Sequence, residues 1–113
     1  MSRSLFRLTV VGALSLAFTG LALADDLATY EITLKDHKFT PSEIHVPNGK
    51  PFNVLVTNAS GDADEFEMLL PALEKGLQPG QQGKVRMRPL AVGRFPFFGE
   101  NDPDGERGAF VSE

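Results

Sequence analysis

The side chains best suited to chemistry in this chain are carboxylates in two short stretches. Asp64, Glu65 and Glu67 form the first, and Glu100, Asp102, Asp104 and Glu106 the second. Carboxylate oxygens are hard donors that suit iron, manganese or calcium and hold copper(I) poorly compared with thiolate or thioether. Nitrogen ligands are scarce, because His37 and His45 are the only histidines, and cysteine is absent altogether. The lack of any thiol excludes a thiolate nucleophile, an iron–sulfur cluster and a blue-copper centre. Enzyme signatures are missing as well: there is no G-x-S-x-G elbow, no phosphate loop and no Ser–His pair placed to act together. A few carboxylates are weak grounds for acid–base catalysis on their own, so the chain is expected not to be an enzyme.

Each candidate has a plain structural alternative. Acidic loops are ordinary in an acidic protein, and the carboxylates could form no more than a solvated rim. Glu67, two places from Glu65 on one strand face, is nearer the sheet and could pair with a basic residue. His37 falls in a turn, where a hydrogen bond from its side chain to the backbone is the expected role, although either histidine could matter if a partner brings the metal. His45 alternates outward from Ile44 and Val46 and reads as a surface residue. Met68 and Met87 are in phase with apolar neighbours and read as core rather than as soft ligands. Lys75 is expected to form a local salt link with Glu74.

The elements that must position these residues are strands. Tyr30–Lys35 and Phe52–Thr57 alternate apolar and polar side chains, and a brief strand at Glu43–Val46 lies between turn sequences around Phe39-Thr40-Pro41 and Pro47-Asn48-Gly49. Glu65–Leu69 resumes the alternation with Phe66 and Met68 on one face and the two glutamates on the other. Pro71–Lys75 reads as a single helical turn, and strands follow at Lys84–Arg88, Arg94–Phe98 and Gly108–Ser112. Pro96 restricts its strand to a sheet edge or to a position that makes no ladder bond. Turn signals about every ten residues, with no long helix and no repeat, point to an all-β sandwich of about seven strands. Phenylalanines with Val54, Val56, Leu69, Val85 and Met87 are its expected core.

Residues 1–24 have the layout of a secretory signal: Arg3 and Arg7, an apolar run from Leu8 to Leu23, and Ala22-Leu23-Ala24 ahead of two aspartates. Cleavage after Ala24 is expected, leaving one domain over residues 25–113, a periplasmic location and no membrane span. That domain carries nine basic against fifteen acidic residues, a net charge of −6. Such a balance disfavours nucleic acid as a partner. An exported domain of this size usually has disulfides; this one must rely on apolar burial and sheet hydrogen bonds.

The run Phe39-Thr40-Pro41-x-Glu43-Ile44-x-Val46-Pro47-x-Gly49-Lys50-Pro51, then Phe52-x-Val54-x-Val56-x-Asn58, resembles the opening half of a cupredoxin. Pro79-Gly80, Pro89-Leu90-x-x-Gly93, Phe95-x-Phe97 and the loop before Gly108-Ala109-Phe110-Val111 resemble the closing half, so the likeness implies a cupredoxin-like Greek-key β-sandwich. Glu65-Phe66-Glu67, Glu74-Lys75, Pro79-Gly80 and Phe97-Phe98-Gly99-Glu100 further resemble the EfeO-type cupredoxin-like domains, including small periplasmic proteins of ferrous-iron transport systems.

Carried over by position, the resemblance puts Asp64, with Glu65 as the alternative, at the first histidine ligand of a blue-copper protein. Gly99 falls at the cysteine, Asp102 at the second histidine and Glu106 at the methionine. None of the four copper ligands is present, and type 1 copper is disfavoured. The fold implied by the resemblance would gather both carboxylate stretches at one end of the sandwich. The implied metal site is Asp64, Glu65, Glu67, Glu100, Asp102 and Glu106, and the implied ion is iron, ferrous or ferric. Implied partners are a membrane iron permease and a second periplasmic metal-binding protein, through which the chain could assist iron oxidation. A metal-free cupredoxin shell working as a protein-interaction module is the alternative of another class, and copper electron transfer is a disfavoured third.

Overall fold

The computed structural model describes residues 27–113, so the expected signal segment, residues 1–24, lies outside the described residues. Nine strands follow in order: β1 Thr29–Lys35, β2 Lys38–Thr40, β3 Glu43–Val46, β4 Phe52–Asn58, β5 Asp64–Leu69, β6 Ala72–Leu77, β7 Gln82–Met87, β8 Gly93–Gly99 and β9 Arg107–Ser112. One sheet has the order β2-β1-β4-β7 and the other β3-β9-β8-β5-β6. Both are mixed, since β1 runs parallel to β4 and β3 parallel to β9 while the remaining pairs are antiparallel. No helix among the described residues is long and apolar enough to cross a membrane.

The seven expected strands are all present, and two more join them. β2 has only three residues, too few to show an alternation, and it forms by pairing back on β1, Lys35 opposite Lys38. β6 occupies most of the segment read as a helical turn. Its sequence, Ala-Leu-Glu-Lys-Gly-Leu, has little strand preference, but hydrogen bonding along the whole of β5, from Asp64↔Leu77 to Leu69↔Ala72, overrides that local tendency. Strand geometry also rules out the expected Glu74–Lys75 salt link, because adjacent side chains point to opposite faces. Glu74 faces outward, whereas the Lys75 stem turns inward, where it lies against Gly83.

Pro96 stands inside the five-stranded sheet without breaking it. It faces Ala109 of β9, whose N–H donates instead to the Ser42 carbonyl on the other side, so Pro96 and Ala109 exchange no ladder bond. On the other flank the pairing with β5 ends at Phe97. The expected non-bonding position is therefore the one it takes.

Between the sheets Phe39, Phe52, Phe66, Phe97 and Phe110 are buried with Ile32, Leu34, Val54, Val56, Met68, Leu77, Val85 and Met87. Phe97 sits among three other rings, with centroids 5.4 Å from Phe39, 5.1 Å from Phe66 and 5.1 Å from Phe110. Gly108 meets the Phe97 ring so closely that a Cβ there would collide with it. Leu69 is a correction to the expected core: it is 80% exposed, because with Phe66 and Met68 facing in, the next residue of a strand must face out. Phe97→Ala is expected to lower the unfolding free energy by about 3–5 kcal/mol in urea denaturation, whereas Leu69→Ser should change it by less than about 0.5 kcal/mol.

Candidate metal centre at the loop end of the sandwich

Three segments meet at one end of the sandwich: the turn between β1 and β2, the loop from β4 to β5, and the loop from β8 to β9. The β4–β5 loop is built on Asn58, which is fully buried. Its Nδ2 donates to the carbonyls of Asp62, at 2.8 Å, and Leu77, at 3.1 Å, while its Oδ1 accepts from the Ser60 N–H and hydroxyl. This arrangement delivers Asp64 to the start of β5 with its side chain inward.

Asp64 then joins that loop to the β8–β9 loop. Its Oδ1 accepts three backbone N–H groups: its neighbour Glu65 at 2.7 Å, Glu100 at 3.0 Å and Asn101 at 3.2 Å. The Asn101 amide answers by donating to the Ala63 carbonyl at 2.8 Å. Asp102 serves the inside of its own loop. Its Oδ1 accepts from Gly105 N–H and its carbonyl from Glu106 N–H, closing a tight turn. The Asp102 carboxylate is thus turned back on the chain that carries it.

That turn directs Glu106 inward at the foot of β9, where it is 2% exposed. Gly99 makes room for it: a Cβ at position 99 would run into the Glu106 carboxylate. The carboxyl group lies within hydrogen-bonding reach of Asp64, and its Oε2 is 3.1 Å from His37 Nδ1. Its other oxygen, Oε1, is buried against Gly99, where no N–H or hydroxyl donates to it. Burial pushes the Glu106 carboxyl up to about 7, with the Asp64 carboxyl adding to the rise and His37 opposing it. A buried anion beside a second carboxyl can be relieved by a proton shared between them or by a cation.

His37 reaches this place through an unusual turn. Lys35 pairs with Lys38, leaving a two-residue loop of Asp36 and His37 with φ of 52° and 56°. These are the left-handed values of a type I′ hairpin turn, reached here without glycine; Asp and His are among the residues that tolerate them best. The ring, 68% exposed, covers the Glu106 carboxylate at the mouth of a cavity of about 230 Å³, also lined by Asp36, Asp62, Asp64 and Asn101.

Glu65, Glu67 and Glu100 form a separate group on the outer face of the five-stranded sheet, with ligand oxygens within 4.8 Å of one another. Glu67 faces Glu74 across the β5–β6 pair rather than a basic residue. Partial burial holds the Glu65 carboxyl above its ordinary range, reinforced by Glu100, Glu67 and Glu74. Glu67 is raised in the same way, by burial first and then by Glu74 and Glu100. The six residues expected at one site therefore divide. Asp64 and Glu106 face inward, Glu65, Glu67 and Glu100 face outward, and Asp102 does neither. His45 is on the surface as expected, bonded to Glu43 and Glu113.

Sequence reasoning passed over two contributors, His37 and the buried Asn58. His37 was expected to bond to backbone and bonds to Glu106 instead. The available signal was the Asp-His pair between two strand-like runs, which becomes a two-residue hairpin only if Lys38–Thr40 is recognised as a strand.

The chain belongs to the Cupredoxin-like domain family, which matches residues 8–111. An uncharacterized protein of Rickettsia prowazekii (strain Madrid E), RP394, is 30% identical over 87 residues, covering 77% of this chain and 70% of the relative. Among solved structures, reduced auracyanin from the photosynthetic bacterium Roseiflexus castenholzii superposes with a TM-score of 0.66 at 16% identity, over 76% of this chain and 97% of its own. The metal-binding domain of the Cu(I)-exporting ATPase CopA of Streptococcus pneumoniae D39, with Cu(I), gives 0.68 at 15% identity, over 75% and 84%. At such identities these neighbours show the fold. Type 1 copper does not fit the residues present, because the chain has no cysteine to supply its thiolate.

Two outcomes follow from the buried carboxyl. Below about pH 4.5 Glu106 is protonated in both folded and unfolded chains, and between about 4.5 and 7 only the folded one keeps the proton. Stability should therefore fall as pH rises through that window, by on the order of 3 kcal/mol, and then level off. Urea titrations should show this slope flattened in Glu106→Gln. Gly99→Ala should cost about 1–3 kcal/mol by overpacking, most of it relieved when Glu106 is also Ala, as a double-mutant cycle would show.

Proposed function

We propose that this protein is a periplasmic metal-binding accessory of ferrous-iron uptake, an EfeO-type cupredoxin-like protein that handles iron through oxygen ligands at the loop end of its sandwich. The observation that carries the reading is Glu106: a buried carboxylate whose Oε1 no N–H or hydroxyl reaches, beside a second buried carboxylate, Asp64, at the inner wall of a cavity lined by both. Carboxylates favour harder ions than the thiolate and thioether of a copper site, which supports iron over copper. Glu65, Glu67 and Glu100, on the adjoining outer face, concentrate cations near that opening and give a basic partner surface something to meet. In this reading the protein receives or presents iron to a membrane permease or to a second periplasmic metal-binding protein. It performs no catalysis alone, and any help to iron oxidation passes through the bound ion or the partner.

Anoxic calorimetry with ferrous iron should show saturable binding, and Glu106→Gln combined with Asp64→Asn should abolish it. Deleting the gene should reduce ferrous-iron accumulation by cells. Absence of binding together with normal accumulation would remove the iron reading and leave a metal-free interaction module.

A further inference from the structure

We propose that the outer face of the β5–β6 hairpin is a docking surface for a partner protein, which seats an aliphatic or aromatic side chain beside Leu69 and sets lysine or arginine side chains against Glu67 and Glu74. The inference goes beyond the iron reading, since a metal-free interaction module would use the same surface. β5 starts at Asp64, at the loop end, and finishes at Leu69, at the other end of the sheet. Leu69 pairs with Ala72, which leaves Leu70 and Pro71 as the turn. Leu69 and Leu70 are 80% and 72% exposed. Short turns ordinarily carry glycine or small polar residues, so exposed leucines here serve no need of the turn itself. Leu69 stands as a ridge between two hollows. One, of about 140 Å³, is lined by Leu69, Leu70, Pro96, Phe98 and Arg107, and the other, of about 420 Å³, by Glu67, Met68, Leu69, Ala72, Leu73 and Glu74. Single exposed apolar side chains are ordinary, but a continuous group of them around concave surface marks a contact site.

Charge decides the occupant. Glu67 and Glu74 stand directly opposite one another across the β5–β6 pair, an arrangement of like charges that weakens a sheet. Glu65 and Glu100 extend the group toward the loop end, with Glu65, Glu67 and Glu100 oxygens within 4.8 Å of one another. Ion pairs among the described residues engage Glu43, Glu106 and Glu113, so none of these four carboxylates has a basic partner. Lys75, next to Glu74, turns its stem to the other face, against Gly83. Arg107 lies one strand beyond Phe98, which itself pairs with Glu67. Lysine or arginine from a partner would therefore relieve a repulsion that this chain leaves uncompensated, while the apolar side chain beside them fills a hollow at Leu69. A second copy of the chain fits less well, because a two-fold contact through Leu69 would turn two such sets of carboxylates toward each other.

The experiment follows nitrogen-15 NMR spectra of the purified protein, with a metal chelator present, as a synthetic peptide carrying a phenylalanine between pairs of lysines is added. Backbone amide shifts should saturate and centre on residues 67–74 and on Phe98. Leu69→Ser keeps the fold, because that side chain is outside the core, and should weaken binding at least about fivefold, as should serine in place of the peptide's phenylalanine. Glu67→Gln combined with Glu74→Gln should weaken it by a similar factor at low ionic strength and by little at high. Equal affinity for the phenylalanine and serine peptides would reduce the contact to a general attraction for cations and overturn the proposal. Shifts that fail to saturate, or that centre elsewhere, would overturn it too. Concentration-dependent dimerisation abolished by Leu69→Ser would overturn it in favour of a second copy as the occupant. With the metal chelated throughout, none of these outcomes bears on iron binding at Glu106.

Discussion

The loop end of this sandwich is organised around one buried carboxyl group. Glu106 enters the interior because the Asp102–Gly105 turn directs it there and because Gly99, opposite, presents no side chain. Once inside, it needs neighbours that tolerate an acid: Asp64, with which it can share a proton, and His37, which reaches over from another hairpin. Each neighbour in turn fixes a loop. Asp64 gathers backbone N–H groups from Glu65, Glu100 and Asn101, joining β5 to the β8–β9 loop. The left-handed turn at Asp36 and His37 gives the imidazole a fixed approach. Glu106, Asp64 and His37 thereby join segments far apart in the chain.

Strand periodicity explains why the carboxylates do not act as one group. Asp64 and Phe66 face the interior, and Glu65 and Glu67 between and beyond them must face out. Glu100 comes one residue after β8 leaves its pairing with β5 and joins the outer set, while Glu106, before β9, joins the inner one. An acidic end that reads as one cluster along the chain is thus a buried pair and an exposed triad on opposite sides of a sheet. The two environments differ in consequence: the inner pair is nearly closed to water and holds a charge only with a counter-ion or a shared proton, and the outer three repel one another beside solvent.

Around Glu106 the packing is mutual. Gly99 presents no side chain, and the Glu106 carboxylate fills the space that leaves. The two residues are sterically matched, so enlarging position 99 alone would collide with Glu106, and shortening Glu106 alone would leave a void beside Gly99. The stability of the scaffold comes from the Phe39, Phe52, Phe66, Phe97 and Phe110 cluster buried between the sheets.

Alternating apolar residues, spaced turns and the absence of cysteine by themselves determined the all-β sandwich, seven of its strands, most of its core, and the exclusion of a blue-copper centre. These are properties of local periodicity and composition, and they survive without knowing what lies across the interior. β2 and β6 were not legible, because a three-residue strand has no period and Ala72–Leu77 becomes a strand only by pairing with β5. Nor was the make-up of the site. Whether Glu106 turns in, whether Asp102 spends its carboxylate on its own loop, and whether His37 meets a residue 69 positions away depend on contacts between distant segments. Only the packing of the two sheets brings those segments together, so only the tertiary structure decided which of the candidate side chains share a site.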